Sequence, residues 1–151
     1  MTPRTLAHFL GSVSRMAPTS QQPEYVVSVA SRFSLEATAT RIIEALTARG
    51  MTIFSDIDQA QFAAKAGAEL RPTRLILFGN PKAGTPIMAA NPHAALELPL
   101  KILLWQDDRG VVHVDYLDPA TLLRKSYGID SALTSVFAPL PDLLRRAAKG
   151  I

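Results

Sequence analysis

The chain has 151 residues, of which 48% are hydrophobic and 19% charged, values typical of one globular domain. Its longest apolar runs are strand-sized, well short of the ~18–20 residues that span a bilayer, so we expect no membrane partner. The absence of cysteine excludes disulfides, thiolate nucleophiles and cysteine-ligated metal centres.

The formal charge of +3 lies at the two ends of the chain. Residues 1–23 carry two arginines and no acid, and residues 131–151 carry three bases and one acid. The remainder, residues 24–130, holds 11 basic and 12 acidic side chains. Nucleic-acid-binding proteins usually carry basic residues as a stripe across the folded body. We therefore expect no nucleic-acid partner.

The first 23 residues differ in composition from the rest of the chain. They contain no acid, and their apolar run is interrupted, unlike that of a secretory signal. We predict an amphipathic arm over residues 1–23, one α+β domain over residues 24–151, and a cytoplasmic location. The arm's apolar residues recur at helical spacing: Leu6, Phe9, Leu10, Val13 and Met16.

The predicted elements of the domain begin with a strand over Tyr25–Ala30 and a helix that Ser34 caps and Gly50 ends. Pro139 and Pro141 must divide the C-terminal helical segment. Between these regions the sequence predicts mainly strands: Met51–Asp58, Thr73–Phe78, Leu100–Gln106 and Val111–Tyr116, with a short helix over Gln59–Gly67.

This order is one strand–helix–strand unit followed by a run of strands. It predicts an α+β fold of the form β-α-β(4)-α, with a largely antiparallel sheet and helices on one face. A doubly wound parallel sheet would require regular alternation of strands and helices, which is missing.

The loop Gly79–Pro86 has two glycines at the spacing of a phosphate-binding loop. It lacks the lysine that such a loop needs directly after the second glycine, so we exclude a nucleotide site. One interpretation is a rigid turn with Thr85 as N-cap and with Gly79 or Gly84 at positive φ. The other is a weak site for an anion or polar ligand, formed by three side chains at a helix N-terminus: Asn80, Lys82 and Thr85.

Asp56 and Asp58 share one face of a predicted strand, where carboxylates could act as a general acid and base. The three histidines lie far apart in the sequence and show no spacing typical of metal ligands. We therefore expect no metal site and no cofactor. If Asp58 faces a cleft near Lys82, the two side chains could form an acid–base pair.

The stretch from Met51 to Gly128 resembles a bacterial and archaeal family, the domain of unknown function 302. The resemblance implies a fold similar to that of the TATA-binding protein and implies no activity. The family usually has Asp-His where this sequence has Asp58-Gln59. The motifs that carry the resemblance are Phe54–Asp58, Glu69–Thr73, Leu77–Pro86, Leu98–Lys101 and Tyr116–Pro119.

Three functions stay open from the sequence. The first is a non-enzymatic module that binds a small polar or anionic ligand around Asp58, Asn80, Lys82 and Thr85. The second is a structural or interaction protein that acts through homo-oligomerisation. The third is an enzyme with Asp58 and Lys82 as its acid–base set.

The predicted strands also suggest an assembly. Leu75–Phe78 and Leu100–Trp105 are almost continuously apolar, so both faces of the sheet carry hydrophobic side chains. One face would keep Leu103 and Trp105 without cover, which is unusual for a monomer. We therefore expect a homodimer that buries more than ~1,000 Å² in total, with the arm contributing to the interface.

Overall fold

The computed structural model describes residue 19 and residues 21–151, so the arm predicted for residues 1–23 lies almost wholly outside the described residues. The described strands are β1 (Val26–Ala30), β2 (Thr52–Asp58), β3 (Thr73–Gly79), β4 (Leu100–Gln106) and β5 (Val112–Leu117). The described helices are α1 (Leu35–Ala48), α2 (Gln59–Lys65), α3 (Pro81–Ala90), α4 (Pro119–Tyr127), α5 (Ser131–Thr134) and α6 (Leu140–Lys149), with 3-10 turns at Pro92–Glu97 and Ser135–Phe137.

The five strands form one sheet in the order β1-β5-β4-β3-β2. Every neighbouring pair is antiparallel. The first strand in sequence therefore pairs with the last, and β2 forms the opposite edge. This confirms the predicted α+β class and the antiparallel sheet.

One face of the sheet forms the floor of the core. Successive side chains of a strand point to opposite faces, and alternate residues of the three central strands are buried. The helices α1 and α6 pack together and cover this face. The buried strand residues are Ile76, Phe78, Leu100, Ile102, Leu104, Val112, Val114 and Tyr116.

Helix α1 begins as the sequence predicts. The Ser34 hydroxyl accepts a hydrogen bond from the backbone N–H of Ala37 (3.2 Å), which satisfies one of the free donors at the helix start. The buried Thr38 hydroxyl donates to the carbonyl of Ser34 (2.7 Å). Because this polar side chain is satisfied, the helix can bury Ile42 and Leu46 completely against the sheet.

Helix α3 begins earlier than the predicted turn allows. Asn80, in extended conformation, is its N-cap and Pro81 occupies the first turn, so Pro86 lies inside the helix. Thr85 is therefore not the N-cap. Asn80 followed by Pro81 carries the same start signal as Thr85 followed by Pro86 and comes first along the chain. Gly79 and Gly84 are not among the glycines with positive φ, so the predicted sharp turn is wrong.

The C-terminal helix is tied to the beginning of α1. The backbone N–H of Arg32 donates to the carbonyl of Ala148 (3.0 Å), and Arg41 Nε donates to the carbonyl of Ala147 (2.8 Å). The Arg41 guanidinium lies 4.4 Å from the centre of the Phe33 ring. Gly150 ends α6 at φ +74°, and a Cβ added there would lie 2.8 Å from Phe33 Cζ.

We expect Gly150→Ala to destabilise the protein more than Gly128→Ala does. Both glycines have positive φ, which costs an L-residue about 1 kcal/mol. A Cβ on Gly128 meets no atom within 4 Å, whereas one on Gly150 displaces the Phe33 ring. Urea denaturation of the two variants measures the difference, and equal losses of stability would contradict the role of Phe33.

Candidate functional site

A largely apolar cavity of about 200 Å³ lies at one corner of the sheet. It opens where β3 ends and α3 begins, beside the segment that leads into β4. Two polar side chains, Asn80 and Thr85, contribute to its wall. The apolar side chains that line it are Phe54, Pro81, Met88, Leu98, Pro99, Leu100 and Phe137.

An irregularity in strand β2 positions Phe54 at the cavity. The pairing of β2 with β3 shifts register between Ile53 and Ser55, as in a β-bulge. Phe54 is 51% exposed although it is a large aromatic residue. A Cβ on Gly79 would lie 3.4 Å from Phe54 Cε2, so the glycine lets the ring lie close to the end of β3. The bulge and Gly79 together form one wall.

The opposite wall contains a glycine within a helix. Gly84 has an ordinary helical conformation, and alanine there would favour helix formation by about 1 kcal/mol. A Cβ on Gly84 would lie 3.7 Å from Leu98 Cδ1 and 3.9 Å from Met88 Cε, which are ordinary contact distances. The backbone does not require glycine at this position, and the missing side chain leaves the cavity open.

The start of α3 does not offer an anion site. The Asn80 side-chain oxygen accepts from the N–H of Lys82 (3.0 Å), and its carbonyl accepts from the N–H groups of Ala83 and Gly84 (both 2.9 Å). Pro81 has no N–H. The amides that would bind an anion are thus already used. Lys82 is exposed and is absent from the cavity wall.

Asp58 lies far from this cavity. It pairs with Arg74 at one end of the β2–β3 ladder, whereas Thr52 and Gly79 pair at the end next to α3. Six residues of strand separate the two ends by about 20 Å. The expected acid–base pair of Asp58 and Lys82 is therefore wrong.

Both carboxylates of β2 have structural partners. Asp58 is the N-cap of α2 and accepts from the N–H of Gln61 (2.9 Å). Asp56 forms a two-pronged ion pair with Arg74, with one distance of 3.0 Å, and this hydrogen bond raises the pKa of the arginine. These contacts account for both carboxylates without a catalytic role.

The sheet face opposite the helices, here called the open face, carries a polar network around Trp105. The indole stacks on the His113 ring with the ring centres 4.5 Å apart, and its N–H donates to Asp115 (2.7 Å). Ser28 donates to the same carboxylate. His113 Nε2 lies 2.8 Å from Asp107.

Sequence reasoning missed this network. The three histidines lie far apart in the sequence and gave no sign of a shared contact. The available signal was the hairpin itself, because in a short hairpin centred on Arg109 the strand pairing places Trp105 opposite His113. In the part of the chain that the structure describes, no three His, Asp or Glu side chains cluster closely enough to hold a metal ion.

The fold and the corner cavity define a small α+β domain whose antiparallel sheet is covered on one face. The chain belongs to the family described as domain of unknown function DUF302, whose model matches residues 27–147. A crystal structure of an uncharacterized conserved DUF302 protein from Bacillus stearothermophilus has the same fold, with a TM-score of 0.69 and 18% sequence identity. The match covers 83% of this chain and 97% of that one.

The chain is also similar to part of larger bacterial proteins. It is 39% identical over 107 residues to the fluoride-specific ion channel FluC 1 of Brucella suis biovar 1, which is 70% of this chain and 42% of that protein. The corresponding protein of Brucella abortus biovar 1 matches at the same identity over 40% of its length. The chain thus spans about two fifths of the length of these proteins. The name fluoride-specific ion channel refers to each of those proteins as a whole. None of the helices in the described region is long and apolar enough to cross a bilayer.

We expect the Asp107 contacts to make stability depend on acid pH. The His113 hydrogen bond, aided by the N–H groups of Val111 and Arg109, holds the pKa of Asp107 below its usual range. A carboxyl group whose pKa is lower in the folded state stabilises the folded protein at pH values above the pKa of the unfolded state, about 3.9. This stabilisation is lost as the pH falls through the pKa of the folded state.

The measurement is the melting temperature as a function of pH. Asp107→Asn should melt below the wild type at pH 7, and the two curves should converge as the pH falls below about 4. Asp108→Asn is the matched control, because the neighbouring Asp108 side chain is 85% exposed and forms a surface ion pair with Arg71. If the difference in melting temperature between the wild type and Asp107→Asn stays constant down to pH 2, the stabilising role of the Asp107 carboxylate is refuted.

Proposed function

We propose that this protein is a non-enzymatic module that binds a small amphiphilic molecule in the corner cavity. The observation that supports this function is the wall of the cavity, in which apolar side chains surround two polar ones. Binding sites for small molecules usually have this composition, since apolar surface provides affinity and a few polar groups fix orientation.

The size of the cavity limits the ligand. An engineered cavity of about 150 Å³ lined by aliphatic and aromatic residues binds benzene. A cavity of about 200 Å³ therefore fits one aromatic ring or an alkyl chain of similar volume. Phe54 and Met88 are partly exposed at its mouth, and a ligand would remove their apolar surface from water.

The polar groups determine which head group the ligand carries. The Asn80 oxygen caps the helix, so its amide NH₂ is the part left to donate to a ligand. The Thr85 hydroxyl can donate or accept. A neutral hydroxyl or carbonyl matches these groups better than a charged one, because the amides at the start of α3 are already used. This proposal retains Asn80 and Thr85 from the sequence prediction and omits Asp58 and Lys82.

Benzyl alcohol has one ring and one hydroxyl and is a suitable probe. We expect it to raise the melting temperature of the wild type, by an amount that corresponds to about 2.7 kcal/mol at 100 times its Kd. Gly84→Leu should abolish this increase, because its side chain would fill the cavity next to Leu98 and Met88.

Gly84→Ala is the matched control for this experiment. It should raise the stability of the free protein by about 0.4–1 kcal/mol and retain weakened binding. Two results would contradict the proposal: no response of the wild type to saturating probe, or an equal response of Gly84→Leu.

A second candidate is association of two copies through the open face. Leu75, Leu77, Leu103 and Trp105 lie there only partly buried. A second sheet packed face to face would bury these side chains. The face also carries Lys101 and Asp115, which could pair across the contact.

We expect the wild type to sediment as a dimer at micromolar concentration and Leu103→Lys to sediment as a monomer. A charge at the centre of the open face would be buried without a fixed partner in the dimer. Leu96→Lys is the control, because Leu96 is 75% exposed on the helical side. A monomeric wild type, or equal dissociation of both variants, would exclude this interface.

A further inference from the structure

Strands β4 and β5 separate at one end of the sheet. Their pairing runs from Gln106 and Val112 to Leu103 and Asp115 and stops there. Strand β4 continues to Leu100 and stays paired with β3, and β5 continues to Leu117 and stays paired with β1. A gap therefore opens within the sheet between two strands that are each held from the other side.

The backbone groups at this gap can be assigned from the ladder. In an antiparallel pair, every second residue directs both its N–H and its C=O toward the partner strand. Leu103 and Asp115 do so, and so would the next pair outward, Lys101 and Leu117. Since the described ladder has no such pair, we infer that the N–H and C=O groups of Lys101 and Leu117 face the gap.

Tyr116 lies next to Leu117 in β5, and its side chain carries a further polar group to be accounted for. The residue is 5% exposed, and among the described residues its buried hydroxyl has no hydrogen-bond partner. Burial, with Asp118 nearby, raises its pKa to about 12, so the phenol is neutral and can donate as well as accept. Buried polar groups almost always have a partner in folded proteins.

A cavity of about 50 Å³ lies on the helical side of the gap. Lys101, Tyr116 and Leu117 border both this cavity and a groove on the open face. Glu97 also lines the cavity and is held by the Tyr127 hydroxyl, which donates to it (2.7 Å). One water needs about 10–15 Å³, so the cavity has room for a group of a few heavy atoms.

We propose that the gap binds a primary carboxamide group, which completes the interrupted ladder between Lys101 and Leu117 and reaches the Tyr116 hydroxyl. A carboxamide offers two N–H donors and one carbonyl acceptor in a plane, as a peptide unit does. Its donors match the strand carbonyls and Glu97, and its acceptor matches the strand N–H groups.

Other small ligands match the site less well. An ammonium group has no acceptor for the N–H groups of Lys101 and Leu117. A carboxylate has no donor for the strand carbonyls or for Glu97. The site is separate from the corner cavity, because only Leu100 lines both, and the proposal does not depend on the amphiphile function.

The test is an NMR titration of the full chain with acetamide, in which the backbone amide signals are followed. The signals of Lys101 and Leu117 should shift and saturate, whereas acetate, which has the same shape without donors, should leave them unchanged. Tyr116→Phe should raise the half-saturating concentration at least threefold. It should not lower the melting temperature of the free protein, because the hydroxyl has no hydrogen-bond partner in the described part of the chain.

Three outcomes would overturn the proposal. These are shifts that grow linearly without saturation, an equal response to acetate, and Tyr116→Phe binding acetamide as the wild type does. The first would mean that water alone fills the gap. Gly84→Leu serves as the control variant, because it blocks the corner cavity and should leave the acetamide response intact, so the two proposed sites can fail independently.

Discussion

The burial of one sheet face beneath α1 and α6 is the interaction on which the rest of the structure depends. Ile42 and Leu46 of α1 and Leu144 of α6 have no exposed surface, and they pack in one cluster with the buried side chains of the central strands. Because side chains alternate along a strand, fixing which residues face the helices also fixes those on the open face. The position of the Trp105 network on the open face follows from this one choice.

Both candidate sites lie where the regular structure is interrupted. The corner cavity is bounded by the irregular register of β2 and by the abrupt change from β3 to α3 at Asn80. The interstrand gap lies where β4 and β5 stop pairing beyond Leu103 and Asp115. Between these places the three central strands pair with a neighbour on both sides, and helix side chains pack against their buried residues.

The sequence predicted features that depend on neighbouring residues. Ser34 caps α1, and Pro139 and Pro141 separate α6 from the preceding turns, because capping and the missing proline N–H act within a few residues. It failed where two local signals compete, as with Asn80 and Thr85. It also failed where the answer depends on which strand ends meet: pairing places Asp58 and Lys82 at opposite ends of β2 and β3, and only tertiary packing brings Phe54 to Leu98.

The pairing of β1 with β5 has a consequence for folding. Ser28 bonds Asp115 across 87 positions of sequence, and α6 docks on α1 over a similar or longer separation. Closing such distant contacts is slow, because the entropy of a large loop is lost before the contact forms. During synthesis β1 and α1 emerge first, yet their partners are made last. The nascent chain therefore holds an unpaired strand and an uncovered apolar helix until the ribosome has made almost the entire domain.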